Sequence, residues 1–397
     1  MVTITREDDE RFEVVVNEHA LMAIPGITTD RGPLGYHRLL PGYERTPLVG
    51  CPTLAAQLDL GHVWVKDETW RIGLPSFKML GASYAVYRAL YERLGVEPDW
   101  SGLDALRERL DRVDPLTLSA ATDGNHGRAV ARMARILGLD CCVYVPDNMV
   151  PARIEAIEDE GASVTIVDGG YDDAISCSAK DLDRGWVVVS DTSWPGYERI
   201  PNWVIEGYST MFWEIDEELE EAGGAPIDVA FIPIGVGALA AATVHHYCHE
   251  GVRRQTRLIS VEPLAADCML ESVRAGEPVM LSGPQDSIMA GLNCGTPSLL
   301  AWPLISRGFS EFVAIEDERA RQGMREFASV GIVAGECGGS TLGALFEILS
   351  GPDADVWRRE CGLGPDASVL LICTEGATDP RGYEEIVGHA PAQRNQF

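Results

Sequence analysis

From about residue 117 onward the chain alternates short apolar, β-rich runs with amphipathic stretches. That alternation is the signature of strand–helix–strand units on a mainly parallel sheet. Leu116 to Ala120 reads as a strand running into a loop. Val130, Met133, Ala134 and Leu137 then keep the i, i+3, i+4, i+7 spacing of a helix, with Gly138 as its stop before a strand from Cys141 to Val145. Pro151 suits the first turn of the next helix, Ile154 and Ile157 line its inner face, and Gly161 ends it ahead of a strand from Val164 to Val167. Two consecutive crossovers make this stretch a small α/β unit.

Trp186 to Ser190 reads as a further strand and Trp203 to Glu221 as a long helix, whose acidic end, Glu217, Glu218, Glu220 and Glu221, is expected to be a solvated face. Gly223-Gly224-Ala225-Pro226 breaks the chain there. A strand from Val229 to Ile234, a helix from Leu239 to His249 and a strand from Leu258 to Val261 restore the alternation. Val313 to Ile315, a helix through Met324 and Phe327, another from Thr341 to Leu349, and a strand from Val369 to Cys373 complete a second α/β unit. The sequence contains no internal repeat, no low-complexity segment and no linker long enough to isolate either half.

At 397 residues the chain exceeds the usual single-domain size, so two domains sharing a cleft are expected. A formal charge of −29 argues against a nucleic-acid or anionic-membrane partner, because phosphate binding needs a basic surface. No apolar run approaches the roughly 20 residues needed to span a bilayer, and Met1 to Glu10 is charged and lacks the apolar region of a signal peptide. A cytoplasmic protein is expected. The ten cysteines show no CxxC spacing and only Cys141 and Cys142 are adjacent, so neither a zinc site nor a disulfide framework is expected.

Only three lysines occur, Lys66, Lys78 and Lys180. Lys66 ends the strand-like Val65-Lys66-Asp67-Glu68 and is expected to pair with acidic neighbours; Lys180, beside Asp181 and Asp183, is expected to be exposed. Lys78 sits in Pro75-Ser76-Phe77-Lys78-Met79-Leu80-Gly81. Arginine can replace lysine for ion pairing, but its guanidinium cannot form a Schiff base with an aldehyde.

Thr122-Asp123-Gly124-Asn125-His126-Gly127-Arg128 lies between a strand and a helix, where α/β sheets bind ligands and where free helix amides receive anions. Asp123 brings a titratable group, and Asn125 an amide able to hold a hydroxyl or phenolate; either residue could equally cap the helix. Pro233-Ile234-Gly235-Val236-Gly237-Ala238-Leu239 is again strand, glycine loop and helix, a phosphate-sized turn. It lacks the third glycine of a dinucleotide site, and the chain has no P-loop motif. Thr374-Glu375-Gly376 places a hydroxyl at the end of a strand.

Taken together and in this order, these segments resemble the fold type II pyridoxal 5′-phosphate enzymes, the tryptophan synthase β-like group, and within it the 2,3-diaminopropionate ammonia-lyases. The likeness rests on Pro41-Gly42-Tyr43, Thr46-Pro47-Leu48, Lys66-Asp67-Glu68, Arg71-Ile72-Gly73-Leu74, Phe77-Lys78 and Leu80-Gly81. It continues through Ala121 to Arg128, Asp191-Thr192-Ser193-Trp194, Gly196-Tyr197, Ile288-Met289-Ala290-Gly291-Leu292 and Thr374-Glu375-Gly376. It covers roughly residue 30 to the end, and the DGNHGR and DTSW segments are its most specific parts.

The resemblance implies two α/β domains with mainly parallel twisted sheets and the active site between them. Residues 1–85 and 212–397 would form a large phosphate-binding domain, and 86–211 a small domain carrying the substrate-carboxylate loop. Lys78 would hold pyridoxal 5′-phosphate as a Schiff base and then act as a base at the substrate Cα. Gly235, Val236, Gly237 and Ala238 would cradle the phosphate, Asn125 would bind the ring oxygen, and Thr374 would face the pyridine nitrogen. Thr122, Asn125 and His126 would receive the substrate carboxylate. Asp123 would either take the α-proton of a D-enantiomer or bind the distal ammonium, with Asp191 a second candidate for either role. Tyr171 would approach the cofactor or serve as an ordinary half-buried tyrosine.

The activity implied is elimination of ammonia from 2,3-diaminopropionate to give pyruvate and ammonia, with a homodimer as the expected assembly and no metal. A serine-, threonine- or hydroxyaspartate-type dehydratase and a β-replacing synthase are alternatives within the class, and a non-catalytic cofactor- or nucleotide-binding protein stands outside it. Pro75-Ser76, Ile234, Asn293 and Thr296 depart from the residues usual in the resembling lyases, and these positions are expected around the pocket.

Overall fold

The computed structural model describes residues 3–5, 12–252 and 255–392. Apart from Thr3–Thr5, the charged N-terminal stretch Met1 to Glu10 lies outside the described residues.

Among the described residues twelve strands form two sheets. In chain order they are β1 (Thr3–Thr5), β2 (Phe12–Val16), β3 (Leu48–Gly50), β4 (His62–Asp67), β5 (Thr117–Ala121) and β6 (Asp140–Pro146). They continue as β7 (Ser163–Val167), β8 (Val187–Val188), β9 (Val229–Pro233), β10 (Arg257–Pro263), β11 (Glu311–Ile315) and β12 (Ser368–Cys373). The eight-stranded sheet runs β1-β2-β11-β10-β9-β12-β4-β3 and the four-stranded sheet β7-β6-β5-β8. The five central strands of the large sheet, from β11 to β4, are mutually parallel, and antiparallel pairs flank them at both edges. The small sheet is parallel throughout.

Strands covered on both faces read as unbroken apolar runs. β9 (VAFIP), β11 (EFVAI) and β12 (SVLLIC) are buried at every position, with Val229, Phe231, Val313, Val369 and Leu371 in one core cluster. Helices Asp317–Ser329 and Glu336–Leu349 pack so closely that a Cβ on Gly339 would lie 2.7 Å from Met324 Cγ. The sequence pattern located the strands from residue 117 to within a few positions, except that Trp186 to Ser190 narrows to the two residues of β8. N-terminal to residue 117 the sequence marks only the strand-like Val65 to Glu68, which overlaps β4; β2, which extends the large sheet by pairing antiparallel with β11, has no counterpart in the pattern.

All four strands of the small sheet lie between residues 117 and 188, and all eight of the large sheet lie outside that range. The positions 85/86 and 211/212 fall inside helices Lys78–Arg93 and Arg199–Ala222, which pack on each other: a Cβ on Gly81 would lie 2.7 Å from Val204 Cγ1. Among the described residues no helix is long and apolar enough to cross a membrane. All ten cysteines are free thiols.

Candidate active site

β12 lies between β9 and β4, so the loops leaving the C-terminal ends of these three strands meet at one edge of the sheet. After β4 the chain turns sharply, with Ile72 at φ 50° and Gly73 at φ 79° and a bridge between Arg71 and Leu74. Residues 75–77 then run antiparallel beside Thr374-Glu375-Gly376. The Phe77 N–H donates to the Thr374 carbonyl at 3.2 Å and the Gly376 N–H to the Pro75 carbonyl at 3.0 Å. Lys78 is therefore the first residue of its helix and sits at the end of β12.

The small sheet supplies the opposite wall. Thr122 follows β5 and its Oγ1 accepts the Gly124 N–H at 2.9 Å, closing a turn that starts helix Asn125–Leu137. A Cβ on Gly127 would stand 2.7 Å from a Val143 methyl, so only glycine lets this helix lie on β6. Asp191 follows β8, whose continuation is held by the Val189 N–H donating to the Ser119 carbonyl at 2.7 Å. The rest of the DTSW segment is structural. Trp194 and Tyr197 stack at 4.1 Å, the Tyr197 hydroxyl donates to the Val188 carbonyl at 2.6 Å, and Ser193 bonds Ser298 at 2.7 Å.

One cleft between the sheets is lined by all the residues singled out: Lys78, Thr122, Asp123, Asn125, His126, Tyr171, Asp191, Gly235, Val236, Gly237, Ala238 and Thr374. Lys78 Nζ donates to Asp191 Oδ2 at 2.7 Å, and the Tyr171 hydroxyl donates to Asp191 Oδ1 at 2.9 Å. Burial works against the Lys78 charge, but Asp191, with Tyr208 and Asp123, outweighs it and holds the ammonium well above the ordinary lysine range. Burial likewise opposes the Asp191 charge, and Lys78 and His126 hold that carboxyl well below the usual range. Asp123 has no such direct partner. Burial pushes its carboxyl up to about 6, against the pull of Lys78 and Arg153 and with the help of Asp191 and Glu375. Two carboxylates in one cleft thus stand in opposite states of readiness for a proton. Tyr171 is a buried phenol raised well above its ordinary value by burial and by Asp191.

The cleft has the features a pyridoxal phosphate would require. Gly237, at φ 103°, ends the glycine turn, and a Cβ there would lie 2.7 Å from Ile305 Cδ1; one on Gly235 would lie 2.9 Å from the Gly291 carbonyl. The ten-residue helix Ala238–Tyr247 begins at that turn, so its first free amides face the cleft as an anion cradle. The Thr374 hydroxyl is buried without a hydrogen-bond partner. A buried orphan hydroxyl is costly unless something completes it, and a pyridine nitrogen does so. Lys78 supplies the only primary amine in the cleft wall.

Sequence reasoning missed several lining residues. Glu375 is buried; its side chain accepts from the Asn125 amide nitrogen and, at 3.3 Å, from the Cys337 N–H. It directly follows Thr374, and its adjacency was the available signal. Cys294 and Cys337 also line the cleft, their thiols pushed well up by burial. Nothing in their spacing marked them. Of the departing positions only Ser76 lines this cleft, its Oγ accepting the Lys78 N–H at 3.2 Å. The Pro75 carbonyl pairs with Gly376 as described, Ile234 is core, Asn293 clasps the Ser287 backbone, and Thr296 donates to Asp172 at 3.2 Å.

A second group of singled-out segments lies away from the cleft. Lys66 is fully buried, but its partners are Glu214 at 3.0 Å and Glu218 at 2.9 Å from helix Arg199–Ala222, not its sequence neighbours. Arg71 joins Glu68 and Glu214, Thr46 donates to Glu68 at 2.6 Å, and Tyr43 donates to Glu214 at 2.8 Å. The acidic helix end is correspondingly not a free solvated face, since Glu217 binds Arg31 and Arg38 and Glu221 binds Arg45. Lys180 is exposed, as expected. Among the described residues Glu13, Asp267 and Glu271 lie close enough to share a cation, but Arg274 already pairs with Glu13 at 2.7 Å and with Glu271.

Comparison with known proteins agrees with the geometry. Residues 39–357 match the family described as pyridoxal-phosphate dependent enzyme. The diaminopropionate ammonia-lyase of Salmonella typhimurium is 37% identical over 365 residues, covering 89% of this chain and 90% of the relative. The crystal structure of diaminopropionate ammonia lyase from Escherichia coli in complex with D-serine superposes with a TM-score of 0.88 at 31% identity, covering 95% and 97% of the two chains. The same enzyme in complex with an aminoacrylate-PLP azomethine reaction intermediate gives 0.85 at 30% identity, covering 98% of each.

Proposed function

The chain belongs to the pyridoxal-phosphate dependent enzymes, within them to the diaminopropionate ammonia-lyases, and we propose that its cleft carries out that reaction with the residues assigned below. The enzyme is a lyase that uses pyridoxal phosphate to eliminate the β-amino group of 2,3-diaminopropionate. The 2-aminoacrylate released hydrolyses to pyruvate and a second ammonia. The observation that carries the assignment is the convergence in one cleft of an amine, a glycine-turn anion cradle and an unpartnered Thr374 hydroxyl.

Bound pyridoxal phosphate supplies an aldehyde and an electron-withdrawing ring that acidifies the substrate Cα–H bond. Gly235, Val236, Gly237 and Ala238 would hold the phosphate through backbone amides. Asn125 would offer an amide N–H to the ring oxygen, and the neutral Thr374 hydroxyl would serve the ring nitrogen. Lys78 would hold the aldehyde, and its free amine would remove the α-proton from the L-enantiomer. Asp123, with its carboxyl near 6, takes the α-proton from the D-enantiomer as a carboxylate or meets the distal ammonium. Asp191 fixes Lys78, and Tyr171 fixes Asp191. The substrate carboxylate would be received by the Thr122 hydroxyl and by the backbone N–H groups of Asn125 and His126, because the one N–H of the neutral His126 ring is already committed to the Val189 carbonyl.

Residues 86–211 act as a small lobe closing on residues 1–85 with 212–397, a division supported by sheet membership. The enzyme works as a cytoplasmic homodimer, in keeping with the family resemblance and with ten free thiols; light scattering at micromolar concentration tests the dimer. For the activity, the purified protein is expected to be yellow and to lose its visible band in Lys78→Ala. It is expected to release ammonia from diaminopropionate faster than from serine or threonine. A colourless wild-type protein that binds no added pyridoxal phosphate overturns the proposal.

A further inference from the structure

One ring nitrogen of His126 has no assigned work. Nε2 bonds the Val189 carbonyl at 2.8 Å. A carbonyl only accepts, so Nε2 carries the ring proton and Nδ1 of the neutral ring is a bare acceptor. Nδ1 is buried without a hydrogen-bond partner, and the side chain is 1% exposed. It lies 3.9 Å from Asp191 Oδ2, the oxygen that holds Lys78 Nζ at 2.7 Å. A buried lone pair facing a carboxylate is costly unless a proton can come between them.

Resting on the reading of Lys78 given above, we infer that His126 is the proton store for Lys78. It is a positioning residue that receives, by way of Asp191 Oδ2, the proton the lysine must shed before its amine can attack or abstract. One Lys78 N–H bond breaks, one Nδ1–H bond forms and Asp191 remains a carboxylate. An ammonium–carboxylate pair becomes an imidazolium–carboxylate pair, with no change in net charge and no co-reactant. Rotation of the Asp191 carboxylate, released from Lys78, closes a gap that is about 1 Å beyond hydrogen-bonding reach. Oδ1 stays engaged by the Tyr171 hydroxyl at 2.9 Å, which leaves Oδ2 as the oxygen through which the proton passes.

The balance around His126 moves toward this exchange at the moment it is needed. Burial acts most strongly on His126 and, with Lys78, holds its imidazole below the ordinary histidine range, whereas Asp191 favours its protonation. When Lys78 becomes neutral its opposition ends and the Asp191 attraction stays. While Lys78 is charged the imidazole remains neutral, so the two groups hold the proton in turn.

Histidine-selective 15N NMR of the whole enzyme reads this directly, because only eight histidines contribute. His126→Gln assigns the signal, and its amide can keep the Val189 hydrogen bond. In cofactor-free protein near neutral pH, Nδ1 is expected to be unprotonated; on addition of pyridoxal phosphate, as the visible band forms, it becomes protonated. In the Gln variant the acid limb of kcat is expected to move up by about one pH unit, while KM and cofactor Kd stay within about twofold. A visible band with Nδ1 unprotonated, or an unmoved acid limb in folded His126→Gln, overturns the inference and leaves the Lys78 reading standing. Failure of any band to form overturns both. Should the Gln variant not fold, His126→Asn replaces it in both the assignment and the acid-limb measurement, with the same outcomes supporting or overturning the inference.

Discussion

The side-chain amide of Asn125 donates to the buried carboxylate of Glu375, joining residues 250 positions apart in sequence. Asn125 opens the helix that follows β5 in the small sheet, and Glu375 lies in the segment just past β12 of the large one. The bond therefore spans the cleft. It also fixes the amide plane, so that the second N–H of Asn125 is aimed rather than free to rotate.

Removing that acceptor tests whether the aim matters. Glu375→Ala leaves the amide unheld at a cost of 1–2 kcal/mol, so cofactor Kd, measured by fluorescence titration, is expected to weaken about tenfold. Glu375→Gln keeps an accepting oxygen and is expected to bind within about threefold of wild type. Equal binding by wild type and the Ala variant would show that Asn125 needs no orienting partner.

Asp123 supplies the pH dependence. A carboxyl with its ordinary value near 4 raised to about 6 is a base only above that pH and is protonated below it. Turnover of D-diaminopropionate is therefore expected to fall as pH drops through about 6, whereas the L-isomer keeps its rate across that interval. Asp123→Asn is expected to lose at least about a hundredfold in kcat on the D-isomer alone. Full activity of that variant on both isomers rules Asp123 out as a base.

Thr374 offers a separate spectroscopic check. Its hydroxyl lacks a partner in the protein, so Thr374→Val removes a polar group without stranding another and is expected to keep the wild-type urea midpoint. If Thr374 serves the ring nitrogen as proposed, cofactor Kd is expected to rise about fivefold with a shift of the visible band. A destabilised apoprotein with unchanged cofactor binding would assign the hydroxyl to the fold instead.

The site was legible because parallel α/β sheets confine ligand loops to strand ends, so a strand pattern plus an unusual loop composition located Lys78, Asp123, Gly235 and Thr374. Glu375 and Tyr208 were not, for different reasons. The peptide Thr374-Glu375-Gly376 does not say which side chain turns inward. Tyr208 lies within a long helix where an apolar, periodic position looks the same whether it faces the core or a lysine. The N-terminal third resisted reading because β3 has only three residues and β4 ends on Lys66 and Asp67, the first of which finds its partners far away in sequence. Lys66 illustrates this: a lysine beside Asp67 and Glu68 suggests local pairing, yet strand geometry turns successive side chains to opposite faces and hands it to Glu214 and Glu218.

That buried network separates family resemblance from chemistry. Tyr43, Thr46, Lys66, Glu68 and Arg71 are among the residues that carry the likeness to the lyases, yet they gather around Glu214, Glu68 by way of Arg71 and Thr46, and none of them lines the cleft. Glu214 balances two fully buried cations, which is why its carboxyl stays charged against burial, held at about 2 chiefly by Arg71. Replacing it with Ala leaves Lys66 and Arg71 short of an anion and is expected to cost about 3–5 kcal/mol, read as a lowered urea midpoint. Folded Glu214→Ala is expected to keep cofactor Kd and the D/L rate ratio within about twofold, because no cleft residue bonds to it. The folded carboxyl lies below its unfolded value, so this stabilisation is present above about pH 4.5 and fades as pH falls toward 2. A wild-type stability that is flat over that interval would mean that the network carries no net stabilisation.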